Sequence, residues 1–466
     1  IAAVSLLYGR VTEATAQAPV ALAALGTVFL TFLLGHRLFG RRAAFWAALI
    51  LVTSYDFFAY SQEILPDMLV VAFATAAAYA FWRAVVERAG RGALVAFYGA
   101  LALGVFAKGP VGLFPLVIGA AWIWTGHGPR ELRRLWSPAG IGLFILVTAS
   151  WLGPFLAAGS ESFAETVVWH NWLGWYVGLP DLRYLAYFAI GWLLGFMPWT
   201  LVLPLPFVYV FRWWKIPSVR FAFLWVVVPL VAIALSANPR ARYLLPIYPG
   251  AALFIAWWAD THGGARTLTG RGLAWAVLPV TLAAIAAPAW LKPSSIYFVP
   301  SFAWKLLPLI ASVSAVSLAL FWGLRAARPA LLVHGVVGAM VVILGYGSWL
   351  YNGWANQTQD FRGFAVTLTR HAGQAEPAVF VTRRFFQIDF YAGRQLLRIK
   401  TLEELNEYLV RPERPVVVIN GRRWEEIQGQ IPSGLRVLEK VRVGGEDLFI
   451  VRDGRPARDT AGARIR

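Results

Sequence analysis

Apolar residues along this chain fall in runs at about 17–36, 43–60, 66–87, 92–108, 110–125, 138–157, 185–211, 218–236, 243–260, 271–290, 303–324 and 330–350. A helix needs roughly 20 predominantly apolar residues to cross a hydrocarbon core. Inside lipid every backbone polar group must be satisfied within its own segment, so such runs are read as helices. The pattern predicts an all-α polytopic membrane protein with about twelve transmembrane helices.

Beyond Asn352 the pattern shortens and becomes mixed. Residues 361–373 read as an amphipathic helix. Residues 378–382, 396–400, 415–420, 435–443 and 447–452 read as strands rich in β-branched side chains. Helices are expected at 401–409 and 422–428, the first opened by a capping box of Thr401 and Glu404. Gly444-Gly445 between the last two strands signals a hairpin. Strands alternating with helices predict a small α/β domain. The predicted division is a membrane domain over 1–352, an α/β domain over 353–454 and a disordered tail over 455–466.

Charge fixes the expected orientation. Taken alternately, one set of loops holds Arg37, Arg41 and Arg42, then Arg83, Arg88 and Arg91, then Arg130, Arg133 and Arg134. It continues with Arg212, Lys215 and Arg220, then Arg266 and Arg271, then Arg325 and Arg328. The other set is poor in cations and holds Glu63, Asp67, Glu161, Glu165 and Asp181. Cytoplasmic loops carry the excess of Lys and Arg, so the first set is assigned inside. The N-terminal stretch, the long 158–184 loop, the 237–242 loop and everything after about residue 352 are then expected outside. This predicts a multi-pass protein of the bacterial inner membrane with a periplasmic C-terminal domain.

The net charge of +18 at first suggests a nucleic-acid partner. Its spread over alternate short loops, rather than one face, makes it a topology signal instead. Of the 466 residues 59% are hydrophobic and 14% charged, well below the roughly 25% charged residues of soluble domains. The 23 Trp and 16 Tyr suit interfacial aromatic belts. Cysteine is absent, which excludes disulfides and thiolate metal sites.

Polar groups that break the topology rule are the candidates for chemistry. Ser61-Gln62-Glu63-Ile64-Leu65-Pro66-Asp67 lies at the outer start of a helix. Pro66 and Asp67 fit ordinary helix N-terminal signals. Glu63 and Asp67 also suit an acid–base or electrostatic role facing an outer cavity. Lys108-Gly109-Pro110 is read as a one-residue turn that places a cation outside, either snorkelling to headgroups or holding a lipid-linked phosphate.

Ser236-Ala237-Asn238-Pro239-Arg240-Ala241-Arg242-Tyr243 puts two arginines in one outer loop. Arginine pairs bidentately with phosphate oxygens, which makes this the best phosphate-binding segment of the chain. Trp169-His170-Asn171 in the long outer loop offers a substrate-loop contact, with a structural role for the lone His as the competing account. No cluster has metal-ligand spacing, and there is no P-loop, dinucleotide fingerprint or nucleophile elbow. No metal or cofactor is therefore expected. Ion-coupled transport wants carboxylates near the bilayer midplane, whereas here acids are scarce at mid-depth and Asp56 lies toward an outer end.

At these same sites the chain resembles the bacterial GT-C glycosyltransferases of the protein O-mannosyltransferase superfamily, and among them the lipid A aminoarabinose transferases. The resemblance is carried by Leu38-Phe39-Gly40-Arg41-Arg42-Ala43-Ala44, by residues 61–67, and by Phe106-Ala107-Lys108-Gly109-Pro110. Gly195-Phe196-Met197-Pro198-Trp199 and Arg240-Ala241-Arg242-Tyr243-Leu244-Leu245-Pro246 complete it. It implies transfer of a sugar from a polyprenyl-phosphate carrier, not a nucleotide sugar, to a lipid, glycan or protein acceptor at the periplasmic face, with inversion expected.

By that likeness Asp67, with Glu63, is the catalytic acidic position, and Lys108, Arg240, Arg242 and Tyr243 bind phosphate. His170 and Asn171 match the acid–Asn pair of the long outer loop, but Gly174 stands where aminoarabinose transferases tend to carry an Arg. The family also has an additional first helix and a large outer loop with an essential acid; Ile1 to Gly9 resembles the stretch just beyond them. The chain as it stands is therefore expected to be an N-terminally truncated, inactive form. Two other readings stand beside the transferase: a lipid-carrier flippase or transporter without covalent chemistry, and a non-catalytic scaffold of an envelope-glycan machine.

Overall fold

A computed structural model describes residues 11–159, 182–237, 239–262 and 329–454, apart from 374, 382–384, 412, 414 and 428–434, with a few isolated positions besides. The chain divides into two compact units, Ile1–Tyr346 and Gly347–Arg466.

The first unit is helical. Its helices are α1 (Glu13–Phe39), α2 (Arg41–Val52), α3 (Tyr55–Tyr60), α4 (Asp67–Phe81), α5 (Arg91–Lys108), α6 (Phe114–His127) and α7 (Pro138–Ala158). They continue with α8 (Leu182–Gly195), α9 (Pro204–Val210), α10 (Pro217–Ala234) and α11 (Tyr248–His262); α12 (Pro329–Thr358) begins in this unit and ends in the next. Local sequence sets these limits. The Thr12 side chain accepts from the Thr15 backbone N–H and closes a capping box at the start of α1. Gly40, at φ 90°, adopts a backbone that other residues rarely reach and separates α1 from α2.

Five stretches among the described residues are long and apolar enough to cross a membrane: Glu13–Phe39, Asp67–Val86, Arg91–His127, Pro138–Ala158 and Pro217–Ala234. Large apolar side chains such as Leu22, Phe29, Ile145 and Leu146 stand exposed on α1 and α7. Contiguous apolar surface of that kind marks a face covered by lipid. Each predicted segment within the described residues is helical, whereas those at 271–290 and 303–324 lie outside them. The architecture is that of a polytopic membrane protein.

Several long runs are broken, and the breaks matter for the site. The 43–60 run divides at Thr53-Ser54, whose hydroxyls bond back to the Leu49 and Leu51 carbonyls at 2.5 and 2.7 Å. The 185–211 run divides at Gly195, and a 3₁₀ turn at Trp199–Leu201 follows the cis Met197–Pro198 bond. The two breaks dock on each other. Tyr55 N–H donates to the Met197 carbonyl at 3.1 Å, and Trp199 Nε1 to Thr53 Oγ1 at 3.0 Å.

The turn expected at Gly109 alone is a five-residue 3₁₀ segment, Gly109–Leu113. Gly104 and Gly112 meet backbone to backbone there, and a Cβ on Gly112 would lie 2.3 Å from the Gly104 carbonyl carbon. Residues eight apart in a straight helix are separated by about 12 Å, so the chain bends sharply between α5 and α6.

The second unit is a small α/β fold. Helix α13 (Phe361–Ala372) precedes β1 (Ala378–Phe380), α14 (Phe386–Ala392), β2 (Leu397–Arg398), α15 (Leu402–Leu409) and β3 (Val417–Asn420). Helix α16 (Gly421–Ile427) and the hairpin of β4 (Leu435–Val443) and β5 (Glu446–Asp453) complete it. The sheet order is β2-β1-β3-β5-β4, parallel across β2, β1 and β3 and antiparallel beyond. Gly444 and Gly445 form the hairpin turn at φ 65° and 81°.

Alternate strand residues face opposite sides. Val379, Val418, Leu448 and Ile450 pack with Phe361, Phe364 and Leu368 of α13, while Phe380, Val417, Ile419 and Val451 pack with Leu405 and Leu409 of α15. Both faces are covered, so β1 and β3 are buried throughout, as interior parallel strands require. Helix α14 was not predicted. It ends at Gly393, whose left-handed φ of 68° caps it.

Candidate active site

The site forms where helix ends meet. Asp67 is the first residue of α4, where the helix dipole favours an anion, and Lys108 is the last of α5, where it favours a cation. Helices α4 and α5 pack along their length, and these two ends come together. Lys108 Nζ donates to Asp67 Oδ1 in an ion pair. Asp67 is 4% exposed and the Lys108 side chain 17%, so the pair is largely withdrawn from water. The structure thus joins two side chains that lie 41 positions apart.

A 3₁₀ segment, Ala241–Ile247, packs against α4 and brings the arginine loop to the same place. Lys108 Nζ stands 4.3 Å from the centre of the Tyr243 ring, a cation–π contact. The Arg242 guanidinium lies 5.7 Å from the same ring, and its buried Nε has no hydrogen-bond partner. Asp67, Lys108, Arg242 and Tyr243 line one pocket together with Val70, Val111, Leu245 and Pro246. Arg240 is exposed at the start of the 3₁₀ segment, within electrostatic reach of Lys108.

In the pocket itself Lys108 and Arg242 against Asp67 leave an excess of one positive charge. A cluster of this sign, with apolar walls and a buried unbonded Arg nitrogen, suits an anion such as phosphate.

A second polar group, unmarked in the sequence beyond its position, adjoins the first. Asp56 on α3 accepts a hydrogen bond from the hydroxyl of Tyr248, the first residue of α11, at 3.2 Å. Tyr248 is fully buried. Asp56 fits only because position 195 is Gly: a Cβ there would lie 2.0 Å from Asp56 Oδ2. The Tyr60 phenol lies within electrostatic reach of Asp56, Glu63, Asp67 and Arg242. Glu63 is exposed on the turn between α3 and α4 and does not line the pocket. His170 and Asn171 lie outside the described residues. The separation of Asp56 and Tyr248 by 192 positions explains why sequence reasoning did not pair them.

A family model described as dolichyl-phosphate-mannose-protein mannosyltransferase matches residues 1–153. The crystal structure of ArnT from Cupriavidus metallidurans bound to undecaprenyl phosphate superimposes with a TM-score of 0.72, at 17% identity, over 94% of this chain and 84% of that one. The apo structure of the same protein gives a TM-score of 0.70 at 16% identity, over 94% and 83%. The chain has the ArnT fold. No curated protein matches it. The resemblance to GT-C glycosyltransferases expected from the sequence motifs therefore recurs in both the family model and the fold.

Proposed function

We propose that the chain transfers a sugar from a polyprenyl-phosphate donor to an envelope acceptor, a lipid, glycan or protein, at the outer face of the bacterial inner membrane. The observation that carries this reading is the cluster of Lys108, Arg242 and Tyr243 around Asp67, on apolar walls at one end of a membrane-spanning bundle. The ArnT structure with undecaprenyl phosphate supports a lipid phosphate as the anion for such a fold.

In this reading Lys108 and Arg242 hold the phosphate, with Arg240 adding exposed charge. As the anomeric carbon–oxygen bond breaks, negative charge grows on the departing polyprenyl phosphate, and cations already in place stabilise it. The acceptor oxygen attacks the anomeric carbon from the opposite face, which inverts the configuration, and its proton passes to a carboxylate. Asp67 is the acid paired with Lys108; it fixes that ammonium and sets its own charge beside the sugar. Asp56 and Glu63, the acids near this cluster that form no ion pair among the described residues, are assigned to the sugar and acceptor side.

The test is a transfer assay in membranes holding the full-length protein, with radiolabelled polyprenyl-phosphate sugars and total envelope lipids and proteins as acceptors. Label should reach an acceptor with the native protein and fail to do so with Asp67→Asn and with Arg242→Ala. Carrier scrambling in vesicles without sugar transfer would replace this reading by lipid transport.

A further inference from the structure

A second cationic site lies at the opposite end of the bundle. Helix α6 starts just after Lys108, and its 14 residues carry the chain about 21 Å away. There it meets the start of α10, where Trp122 Nε1 donates to the Pro217 carbonyl at 2.9 Å. Arg220 stands in the first turn of α10. It is 6% exposed, and its guanidinium lies 5.2 Å over the Trp122 ring.

Three features make Arg220 unusual. A cation in the first turn opposes the helix dipole. Among the described residues Arg220 has no side-chain hydrogen bond and no ion pair, and its buried Nε has no partner. Glu131, which like Arg220 lies within electrostatic reach of His127, is already held by Arg133 at 3.1 Å and Arg134 at 2.7 Å. A buried charge with neither counter-ion nor hydrogen bond is strongly unfavourable, so an anion from outside the chain is the natural complement. The fold also makes room: a Cβ at position 126 would lie 1.9 Å from Arg220 Nη2, so Gly126 is what admits the guanidinium.

We propose that Arg220, seated between Trp122 and Gly126, binds a phosphate group at the cytoplasmic end of the bundle, that of an anionic phospholipid headgroup. Two observations favour the lipid. The notch sits at the ends of two apolar spans, and the Pro129–Leu135 segment that follows α6 carries Arg130, Arg133 and Arg134, positive charge that draws anionic lipid. No side chain caps the start of α10, which leaves its first N–H groups for the same anion.

The experiment is native mass spectrometry of the full-length protein in neutral detergent with phosphatidylglycerol, with diacylglycerol as the phosphate-free control. The native protein should retain phosphatidylglycerol, and Arg220→Met should weaken its retention at least about tenfold. Gly126→Ala, which expels the guanidinium, should do the same. Displacement of the lipid by millimolar inorganic phosphate would identify a free-ion site with the same chemistry. Equal retention by native and Arg220→Met proteins, or equal retention of diacylglycerol, would overturn the proposal. If Arg220→Met does not fold, a headgroup-photoactivatable phosphatidylglycerol on the native protein decides. Crosslinks in peptides containing Trp122 or Arg220 support the site, and crosslinks only elsewhere refute it.

Discussion

Replacing Lys108 by Met removes the counter-ion of a carboxylate that has almost no access to water. Asp67 is 4% exposed and the Lys108 side chain 17%. An exposed pair would lose at most about 1 kcal/mol on such a change. Removing one member of a buried pair costs about 3–5 kcal/mol, because the remaining charge is stranded. The pocket beside Lys108 and the nearby Arg242 soften the loss, so about 3 kcal/mol is expected.

The double variant Asp67→Asn/Lys108→Met strands no charge and should recover most of that loss, giving a coupling energy of about 2 kcal/mol or more. Stability is read from equilibrium unfolding in detergent by Trp fluorescence, and polyprenyl-phosphate binding is measured on the same samples. Binding should fall in Lys108→Met and stay low in the double variant, since the ammonium is absent from both. Single losses under about 1 kcal/mol that simply add would refute the buried-pair reasoning.

Arg242→Ala should weaken polyprenyl-phosphate binding by about 1.5–3 kcal/mol, the worth of a charged hydrogen bond. Exposed Arg240→Ala should lose under about 1 kcal/mol, with an effect that fades at high salt, so titrations at low and high ionic strength separate the two. Gly195→Ala places a Cβ where Asp56 Oδ2 now lies, at 2.0 Å, and should cut sugar transfer while leaving polyprenyl-phosphate affinity within about twofold, since it does not touch the pocket. In the C-terminal domain, Leu368→Ala should destabilise by about 2–5 kcal/mol and Thr401→Ala by about 1 kcal/mol, both read from thermal unfolding.

Much of the first unit was legible because lipid imposes a simple rule. A chain that must satisfy its own backbone in hydrocarbon writes each span as a long apolar run, so the helices of the described residues coincide with those runs. The breaks inside them were harder. Thr53-Ser54 and Gly195 carry weak local signals, and what fixes them is their mutual docking through Tyr55, Met197, Trp199 and Thr53. In the second unit β-branched runs and the Gly444-Gly445 turn marked the strands. Helix α14 was missed because its exposed Phe386 and Phe390 blur the amphipathic pattern that its Gly393 cap would otherwise have completed.

The site divides in the same way. The sequence by itself determined which residues are out of place in a membrane protein: Lys108 and the two arginines on the side where cations are scarce, and Asp67 at a helix start. That follows from solvation, since a charge near lipid is costly wherever the chain folds. Only the tertiary structure decided their arrangement. It made Asp67 the counter-ion of Lys108, laid the Tyr243 ring against the ammonium, set Arg242 beside the same ring, and gave Asp56 to Tyr248 across 192 positions. Pairing of this kind depends on distances of a few ångströms between helix ends. Those distances are set by small-residue contacts such as Gly104 on Gly112 and Gly195 on Asp56, not by the pattern along any one helix.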